Sequence, residues 1–324
     1  MSGTIFLTMK PAFLLRLLPL AACAAGIFAQ SWQPPAENRR CPSKWGAGDE
    51  RGSGNLMSPK TVLRAAGLIR AGSVYELGRV LTSAMPFFGG RKFDLVTKRT
   101  VINPGTNRRG SNEEIVHAEM GQIGTQFDAF SHQTIGDSLY NCFKLDEIAT
   151  RSGFSKLGVE KAGMLMTRAV LIDIAAVKGV PILPAGYEIV PADLEAALKR
   201  QNIALEPGDA VLIHTGWGRY WGKDNAQYGR SSPGIGVAAA EWLARQSPML
   251  VGADNPSVEV SPNPDPSVNL PVHQIMLVVN GIHLLENLRL DQLAADRVYE
   301  SAFIMQPLKM QGATGSTVAP VAIR

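Results

Sequence analysis

The sequence predicts a single α/β domain, and three features of the chain predict it. Continuous apolar runs at 169–174, 208–215 and 249–253 are typical of strands that are buried on both faces of a sheet. Helical patterns at 191–201 and 236–246 alternate with these runs, which is the element order of an α/β protein. The 324 residues are 45% hydrophobic and 19% charged, which indicates a globular chain rather than a disordered one.

The first part of the domain contributes fewer regular elements. Residues 30–57 are polar and rich in Gly and Pro, so we expect an irregular opening segment. The Ser58-Pro59 pair is typical of a helix N-terminus, and Gly72 is expected to end that helix. A strand is predicted at 73–78 and a long excursion loop at 83–115.

The second part is more regular. The helix at 191–201 is amphipathic, with Leu194, Ala197 and Leu198 on the buried side. The apolar run at 275–279 predicts one further strand. No stretch of linker composition interrupts residues 30–324, so we expect one domain there.

Residues 1–29 have the composition of a leader. A weakly basic start precedes an apolar stretch at 17–29, which is shorter than the roughly 20 residues that a membrane span requires. We therefore predict a secretory signal peptide that is cleaved after Ala29, and an exported protein, periplasmic or secreted. Leu20-Ala21-Ala22-Cys23 resembles a bacterial lipobox, so a lipid anchor at Cys23 is the alternative.

Cys41 and Cys142 remain after that cleavage. Export permits a disulfide between them, but the sequence leaves the free and the bridged states equally open. Their spacing is not that of a zinc site.

The charge balance excludes some partners. The chain carries 32 basic and 28 acidic residues, and its densest basic run, Arg91 to Arg109, contains Gly and Pro and is interpreted as a solvated loop. We expect no nucleic-acid partner and no transmembrane span. There is no Gly-x-Ser-x-Gly elbow, no phosphate-binding loop and no dinucleotide fingerprint.

The five histidines draw attention to a small number of segments. Asp128 and His132 follow a Gly-Thr pair in a pattern that suggests a strand and then a turn, and a carboxylate near an imidazole suits a metal site or an acid–base pair. The alternative is that Asp128 caps a helix while His132 packs beside it. His273 and Glu286 flank the apolar run 275–279, and they can converge only if the chain turns at Gly281.

Two more segments end predicted strands, where sites of α/β proteins are usually built. His214 is followed by Trp217 and Trp221, which could line an aromatic pocket or pack in the core. Asp254 could cap a helix, orient a ligand or contact a substrate.

Taken together, these segments resemble the cyclase family that includes bacterial kynurenine formamidase and isatin hydrolase. The family motif is His-x-Gly-Thr-His-x-Asp with a further His four residues on, and this chain has Gln122-Ile123-Gly124-Thr125-Gln126-Phe127-Asp128 and then His132. The resemblance covers about residues 45–295. It implies one cyclase-like domain with a mixed β core flanked by helices, and a homodimer or tetramer.

The resemblance also implies roles for residues. Asp128, His273 and Glu286 correspond to ligands of a divalent metal, Mn or Zn, and His132 corresponds to the proton-transfer histidine. Gln122 and Gln126 stand where the family has ligand histidines, as auxiliary oxygen ligands or substrate contacts.

The leading functional hypothesis is an exported, arylformamidase-like hydrolase of an amide or of a cyclic amide or ester. His132 or Glu286 would transfer protons as catalytic residues, while Trp217, Phe130 and Asp254 would contact a cyclic or aromatic small molecule. One alternative is a metal-independent cyclase, dehydratase or isomerase that uses His132. Another is a binding protein without catalysis.

Overall fold

A nine-stranded mixed sheet forms the centre of the structure, a computed structural model that describes residues 1–4, 31–102 and 105–324. Its strands lie in the order β1-β15-β13-β7-β9-β11-β12-β4-β14. The four neighbours β7, β9, β11 and β12 run parallel, and antiparallel strands continue the sheet on both sides. The strands of the described residues are β1 (Val74–Glu76), β2 (Phe93–Ile102), β3 (Gly110–Ala118), β4 (Gln126–Asp128), β5 (Ala149–Thr150), β6 (Gly153–Phe154), β7 (Leu165–Asp173), β8 (Glu188–Ile189), β9 (Ala210–His214), β10 (Gly234–Ile235), β11 (Leu250–Ala253), β12 (His283–Glu286), β13 (Glu300–Met305), β14 (Gly315–Thr317) and β15 (Val321–Ile323).

Helices flank this sheet, which confirms the predicted α/β class with a mixed β core. The α-helices of the described residues are α1 (Glu37–Arg40), α2 (Pro59–Ala66), α3 (Leu145–Ile148), α4 (Ile174–Lys178), α5 (Pro191–Gln201), α6 (Asn225–Tyr228), α7 (Val237–Arg245), α8 (Pro271–His273) and α9 (Asp291–Ala295). Short 3₁₀ helices cover Gly52–Leu56, Tyr140–Cys142, Val159–Lys161 and Trp217–Tyr220.

The central strands are buried on both faces, as their continuous apolar runs predict. Side chains alternate across a strand, and β7 shows the result directly. Val170 and Ile172 belong to one hydrophobic cluster, which helices α5 and α7 also build. Ala169 and Leu171 belong to a second cluster on the other side. The sheet therefore separates two hydrophobic cores.

Helix α2 begins as the sequence predicts. The Ser58 hydroxyl accepts a hydrogen bond from the backbone N–H of Thr61, and Pro59 occupies the first turn. The helix ends at Ala66, earlier than the predicted stop at Gly72.

Residues 83–115 are not the loop that the sequence predicts. Strands β2 and β3 pair in an antiparallel hairpin there, separate from the central sheet. Leu95, Val96, Ile115 and Val116 are all at least 41% exposed. Because neither face of the hairpin is buried, the segment lacks the apolar–polar alternation by which a strand is recognised.

Residues 275–279 are not a strand either. Helix α8 continues directly into a π-helix over Gln274–Asn280. Pro271 occupies its first turn, and Gly281 ends it in the left-handed conformation with φ of 58°. A short apolar run does not distinguish a buried helix from a buried strand, and these flanking residues determine the helix.

Residues Trp32–Arg324 form one compact unit. The predicted signal peptide and the lipobox at Cys23 lie mostly outside the described residues. Cys41 and Cys142 form a disulfide, which decides between the two states that the sequence leaves open. In the described part of the chain, no helix is both long and apolar enough to span a membrane.

Candidate active site

Strand pairing brings three of the predicted site residues together. In the antiparallel pair of β4 and β12, Gln126 lies directly opposite Glu286. Gln126 Nε2 donates a hydrogen bond of 2.7 Å to Glu286 Oε2. Asp128 is two positions beyond Gln126 on the same strand, so its side chain points to the same face. All three side chains are buried.

His273 reaches this face through the turn at Gly281. His273 is the last residue of α8, and the π-helix and Gly281 connect it to β12. Its Nε2 lies 3.1 Å from Glu286 Oε1 and 3.8 Å from Asp128 Oδ2. A Cβ atom on Gly281 would lie 2.3 Å from Tyr140 Cε2, so the turn requires glycine. The structure thus brings His273 and Glu286 together at the predicted turn.

His132 lies on the turn that follows β4, the strand-then-turn arrangement predicted for this segment. The backbone N–H of His132 donates to the carbonyl of Ala129 over 3.0 Å, which closes the turn. His132 Nδ1 lies 3.2 Å from Gln122 Nε2, and the Gln122 side chain also accepts a 3.4 Å hydrogen bond from Gln126. Both glutamine amides therefore join the histidines and Glu286 in one network.

Glu259 completes the network and was not among the predicted site residues. One of its oxygens lies 2.5 Å from His273 Nδ1, and its carboxylate also accepts the backbone N–H groups of Val272 and His273. Glu259 is fully buried. In the sequence, only its position five residues after Asp254 connects it with a strand end, and that signal was too weak to identify it.

Three side chains of this group could hold a metal ion. One ligand atom each from Asp128, His132 and His273 lie within 4.8 Å of one another. Neither carboxylate oxygen of Asp128 has a hydrogen-bond partner among the described residues, although both are buried. The contact with Glu259 at Nδ1 leaves His273 Nε2 to face the group, which is the arrangement of a carboxylate–histidine–metal site. The set fits a divalent cation.

Burial and charge shift the pKa values of the site. Burial raises the pKa of Asp128 to about 6, against the opposing effect of His132 and His273. Burial also raises the pKa of Glu286 and lowers that of His132. Burial also acts to lower the pKa of His273. Its hydrogen bonds to Glu259 and Glu286 outweigh this effect and raise that pKa well above the ordinary value. Without a bound cation, the surroundings of the two imidazoles thus shift their pKa values in opposite directions.

A cavity of about 260 Å³ opens onto the site. Five of the predicted residues are among those that line it: Gln122, Gln126, His132, His273 and Glu286. Phe88 and Tyr228 supply its aromatic walls, and neither was predicted from the sequence.

The three predicted substrate contacts lie elsewhere. Trp217 is buried, and its indole N–H donates to the carbonyl of Tyr228 over 3.1 Å. Phe130 stacks on His283 with 4.1 Å between ring centroids. Asp254 accepts hydrogen bonds from the backbone N–H and the hydroxyl of Thr215. All three pack in the interior rather than among the residues that line the cavity.

Comparison with known proteins gives consistent matches. The sequence model of the Cyclase family matches residues 75–260. A crystal structure described as a novel cyclase is 34% identical to this chain, with a TM-score of 0.79 over 87% of this chain and 98% of the other. No curated protein matches the sequence significantly.

Two isatin hydrolase structures share the fold at lower identity. Isatin hydrolase A from Ralstonia solanacearum is 22% identical, with a TM-score of 0.55 over 83% of this chain and 98% of the other. An isatin hydrolase bound to the product analogue thioisatinate is 20% identical, with a TM-score of 0.56 over 82% of this chain and 98% of the other.

Proposed function

The chain belongs to the Cyclase family, and from this premise we propose that it hydrolyses an amide, or a cyclic amide or ester, of a small molecule. The proposal depends above all on one observation. Asp128, His132 and His273 converge beside Glu286, next to a cavity that fits a molecule of about one ring. The isatin hydrolases of the same fold are named for a cyclic substrate, which supports a ring-opening or arylformamidase-like reaction.

We propose that the site uses a divalent metal, Mn or Zn. Asp128 and His273 would hold it, with Gln122 and Gln126 as auxiliary oxygen ligands, and this leaves His132 and Glu286 beside the ion for proton transfer. A bound ion of this kind polarises a carbonyl group and lowers the pKa of water.

The chain's own residues supply the proton transfers. Water adds its oxygen to the carbonyl carbon, the C–N or C–O bond of the substrate breaks, and a proton passes to the leaving atom. His132 is kept neutral by burial, so a ring nitrogen can accept the proton of the water. Burial raises the pKa of Glu286, so its carboxyl group can carry a proton to the leaving atom.

A second candidate function needs no metal. Gln126 donates to Glu286, and the amide nitrogen of Gln122 faces His132, so both glutamines take part in a hydrogen-bond network made by protein groups alone. That network favours acid–base chemistry by His132 with Asp128 or Glu286, as in a cyclisation, dehydration or isomerisation.

We also propose that residues 1–29 direct export to the periplasm or the medium, with lipid attachment at Cys23 as the alternative. The disulfide between Cys41 and Cys142 supports an oxidising location. A homodimer or tetramer is proposed from the family resemblance.

Metal content tests the leading proposal. We would measure it by mass spectrometry on protein purified without chelator or histidine tag, for the wild type, Asp128→Ala and the exposed control Asp94→Ala. We expect about one Mn or Zn per chain in the wild type and in the control, and a loss in Asp128→Ala.

The same proteins would then be assayed on formanilides, lactams and lactones. Hydrolysis that disappears with the metal supports the proposal. No metal after addition of Mn²⁺ and Zn²⁺ removes the activated-water reaction and leaves acid–base chemistry at His132. Ligand binding without turnover of any of these compounds would indicate a binding protein.

A further inference from the structure

The wall of the active-site cavity contains two arginines without carboxylate partners. Arg91 precedes β2, and Arg230 follows α6. Neither forms an ion pair with any other residue that the structure describes. Two arginines without an ion-pair partner among the described residues thus line one cavity, Arg91 partly buried and Arg230 exposed.

Arg91 is held beside the reacting groups. Its Nη1 donates to the carbonyl of Gln122 over 3.3 Å, and Gln122 in turn contacts His132. The charge of Arg91 is close enough to affect the pKa values of both His132 and Glu286. One nitrogen anchors the side chain, so the remainder of the guanidinium can meet a ligand.

Arg230 begins a polar stretch on the same cavity. Ser231 and Ser232 follow it, and the backbone N–H of Ser232 donates to the carbonyl of Ser261 over 2.7 Å, which fixes the stretch against a neighbouring segment. The Ser232 hydroxyl is buried and has no hydrogen-bond partner within the described ranges. It is a polar group at the cavity for which the protein itself supplies no partner.

The residues that line the cavity include both a carboxylate and the two arginines. Glu286 is its one carboxylate, and it belongs to the buried network with His273 and Gln126. Arg91 and Arg230 are the side chains of the lining that attract an anionic group. A guanidinium pairs with a planar carboxylate through two parallel hydrogen bonds.

We propose that Arg91 and Arg230 bind a carboxylate on the substrate, so that the substrate class is a single-ring amide, lactam or lactone that carries one carboxylate. This inference rests on the proposed hydrolase function for the reaction, but the recognition of the carboxylate can be measured without it. The carboxylate orients the molecule so that its reactive carbonyl points toward His132 and Glu286.

A matched pair of compounds tests the proposal. Formanilide and 2-formamidobenzoate differ only by the carboxylate. We would measure kcat and KM for both with the wild type, Arg91→Gln, Arg91→Lys, Arg230→Gln and the exposed control Arg70→Gln. We expect the wild type to prefer the carboxylate compound in kcat/KM by at least about 10-fold, mainly through KM.

Arg91→Gln and Arg230→Gln should each lower that preference by about 10-fold or more. Arg91→Lys should restore part of it, since lysine keeps the positive charge but cannot form the two parallel hydrogen bonds of a guanidinium group. Arg70→Gln should leave the preference unchanged. Equal turnover of both compounds, or a preference that survives both cavity variants, would overturn the proposal while leaving the hydrolase function intact.

Calorimetric titration tests the carboxylate proposal when neither compound is turned over. If neither compound is turned over, 2-formamidobenzoate should still bind more tightly than formanilide, and Arg91→Gln should abolish the difference. Equal binding of the two compounds would reject the carboxylate proposal. Tighter binding of 2-formamidobenzoate without turnover would reject only the proposed hydrolysis.

Discussion

One buried carboxylate, that of Glu259, determines how His273 is presented to the site. Glu259 accepts two backbone N–H groups and contacts Nδ1 of His273, so the imidazole cannot rotate without breaking this contact. Partners of this kind fix the tautomer and orientation of a ligand histidine.

We therefore predict that Glu259→Gln lowers kcat or metal affinity by about 10- to 100-fold, because the amide no longer offers a charged acceptor to Nδ1. Steady-state kinetics and metal titration measure the effect, with the exposed Glu195→Gln as control. A variant that keeps the activity and metal affinity of the wild type would show that Glu259 only stabilises the fold.

His214 is a buried histidine whose imidazole lies near two aspartate side chains. Its Nδ1 lies 2.8 Å from Asp173 Oδ1, and its Nε2 lies 3.9 Å from Asp254 Oδ2. Burial disfavours the charged imidazole, but the hydrogen bond with Asp173 and the negative charges of Asp254, Asp173 and Asp291 outweigh it and raise the pKa of His214. The native state therefore holds this proton more strongly than the unfolded chain.

The contribution of His214 to stability is then complete below its ordinary pKa of about 6.5 and is lost as the pH rises through the folded-state value. We expect the difference in unfolding free energy between the wild type and His214→Gln to shrink as the pH rises above about 6.5 in urea titrations. The exposed His117→Gln serves as the control substitution. A difference that is constant with pH would refute the assignment.

The sequence identified part of the site for a physical reason. His132, His273, Asp128 and Glu286 belong to rare or costly residue types next to predicted turns and strands, so each could be found singly. Glu259, Arg91 and Tyr228 could not, because their roles depend on which segments become neighbours in space. The sequence left Trp217 open between a pocket wall and the core, because an aromatic side chain at a strand end suits either place, and the structure buries it.

At the scale of elements, the turn at Gly281 places His273 against Glu286. Gly281 combines a positive φ with a close approach to Tyr140. Gly136 has a similar φ of 61°, and a Cβ atom there would meet nothing within 4 Å. Alanine substitutions at these two glycines therefore distinguish the cost of a left-handed backbone from the cost of steric overlap.

We predict that Gly136→Ala lowers the unfolding free energy by about 1–3 kcal/mol or less, which is the range for a left-handed non-glycine residue. Gly281→Ala should cost clearly more, because the added methyl group would overlap the Tyr140 ring. Chemical denaturation measures both variants. Equal costs would mean that the segment shifts easily and that the turn is not rigid.

Elements with one buried face or two buried faces were predictable, and α5 shows this best. The predicted range 191–201 coincides with the observed Pro191–Gln201. The hairpin of β2 and β3 has no buried face, and the π-helix carries an apolar run with no period of its own. In the first case the hydrophobic pattern does not distinguish a hairpin from a loop, and in the second it does not distinguish a helix from a strand.

At the scale of the molecule, the disulfide connects the opening segment to a distant part of the chain. Cys41 and Cys142 are 101 residues apart, and Asn141 next to it accepts a hydrogen bond from the backbone N–H of Ser43. Ser53 follows in the same opening segment, and its N–H donates to the carbonyl of Gly281 over 2.7 Å. The bridge therefore supports the segment that contacts the site's turn.

We predict that Cys41→Ser with Cys142→Ser lowers the unfolding free energy by about 2–5 kcal/mol, because the unfolded chain gains freedom across a long loop. Urea titration of the double variant against the oxidised wild type measures this change. If reduction of the wild type and the double substitution both leave stability unchanged, the bridge contributes nothing to the fold.

The order of strands in the central sheet has a consequence for the timing of synthesis. Strand β4, which carries Gln126 and Asp128, pairs on one side with β12 and on the other with β14, and β15 lies between β1 and β13. A nascent chain cannot pair β4 on both sides until residues 315–317 have left the ribosome, and it cannot complete the sheet until residues 321–323 have followed. The strand that carries two residues of the candidate site is therefore fixed in the sheet only late in the synthesis of the described residues.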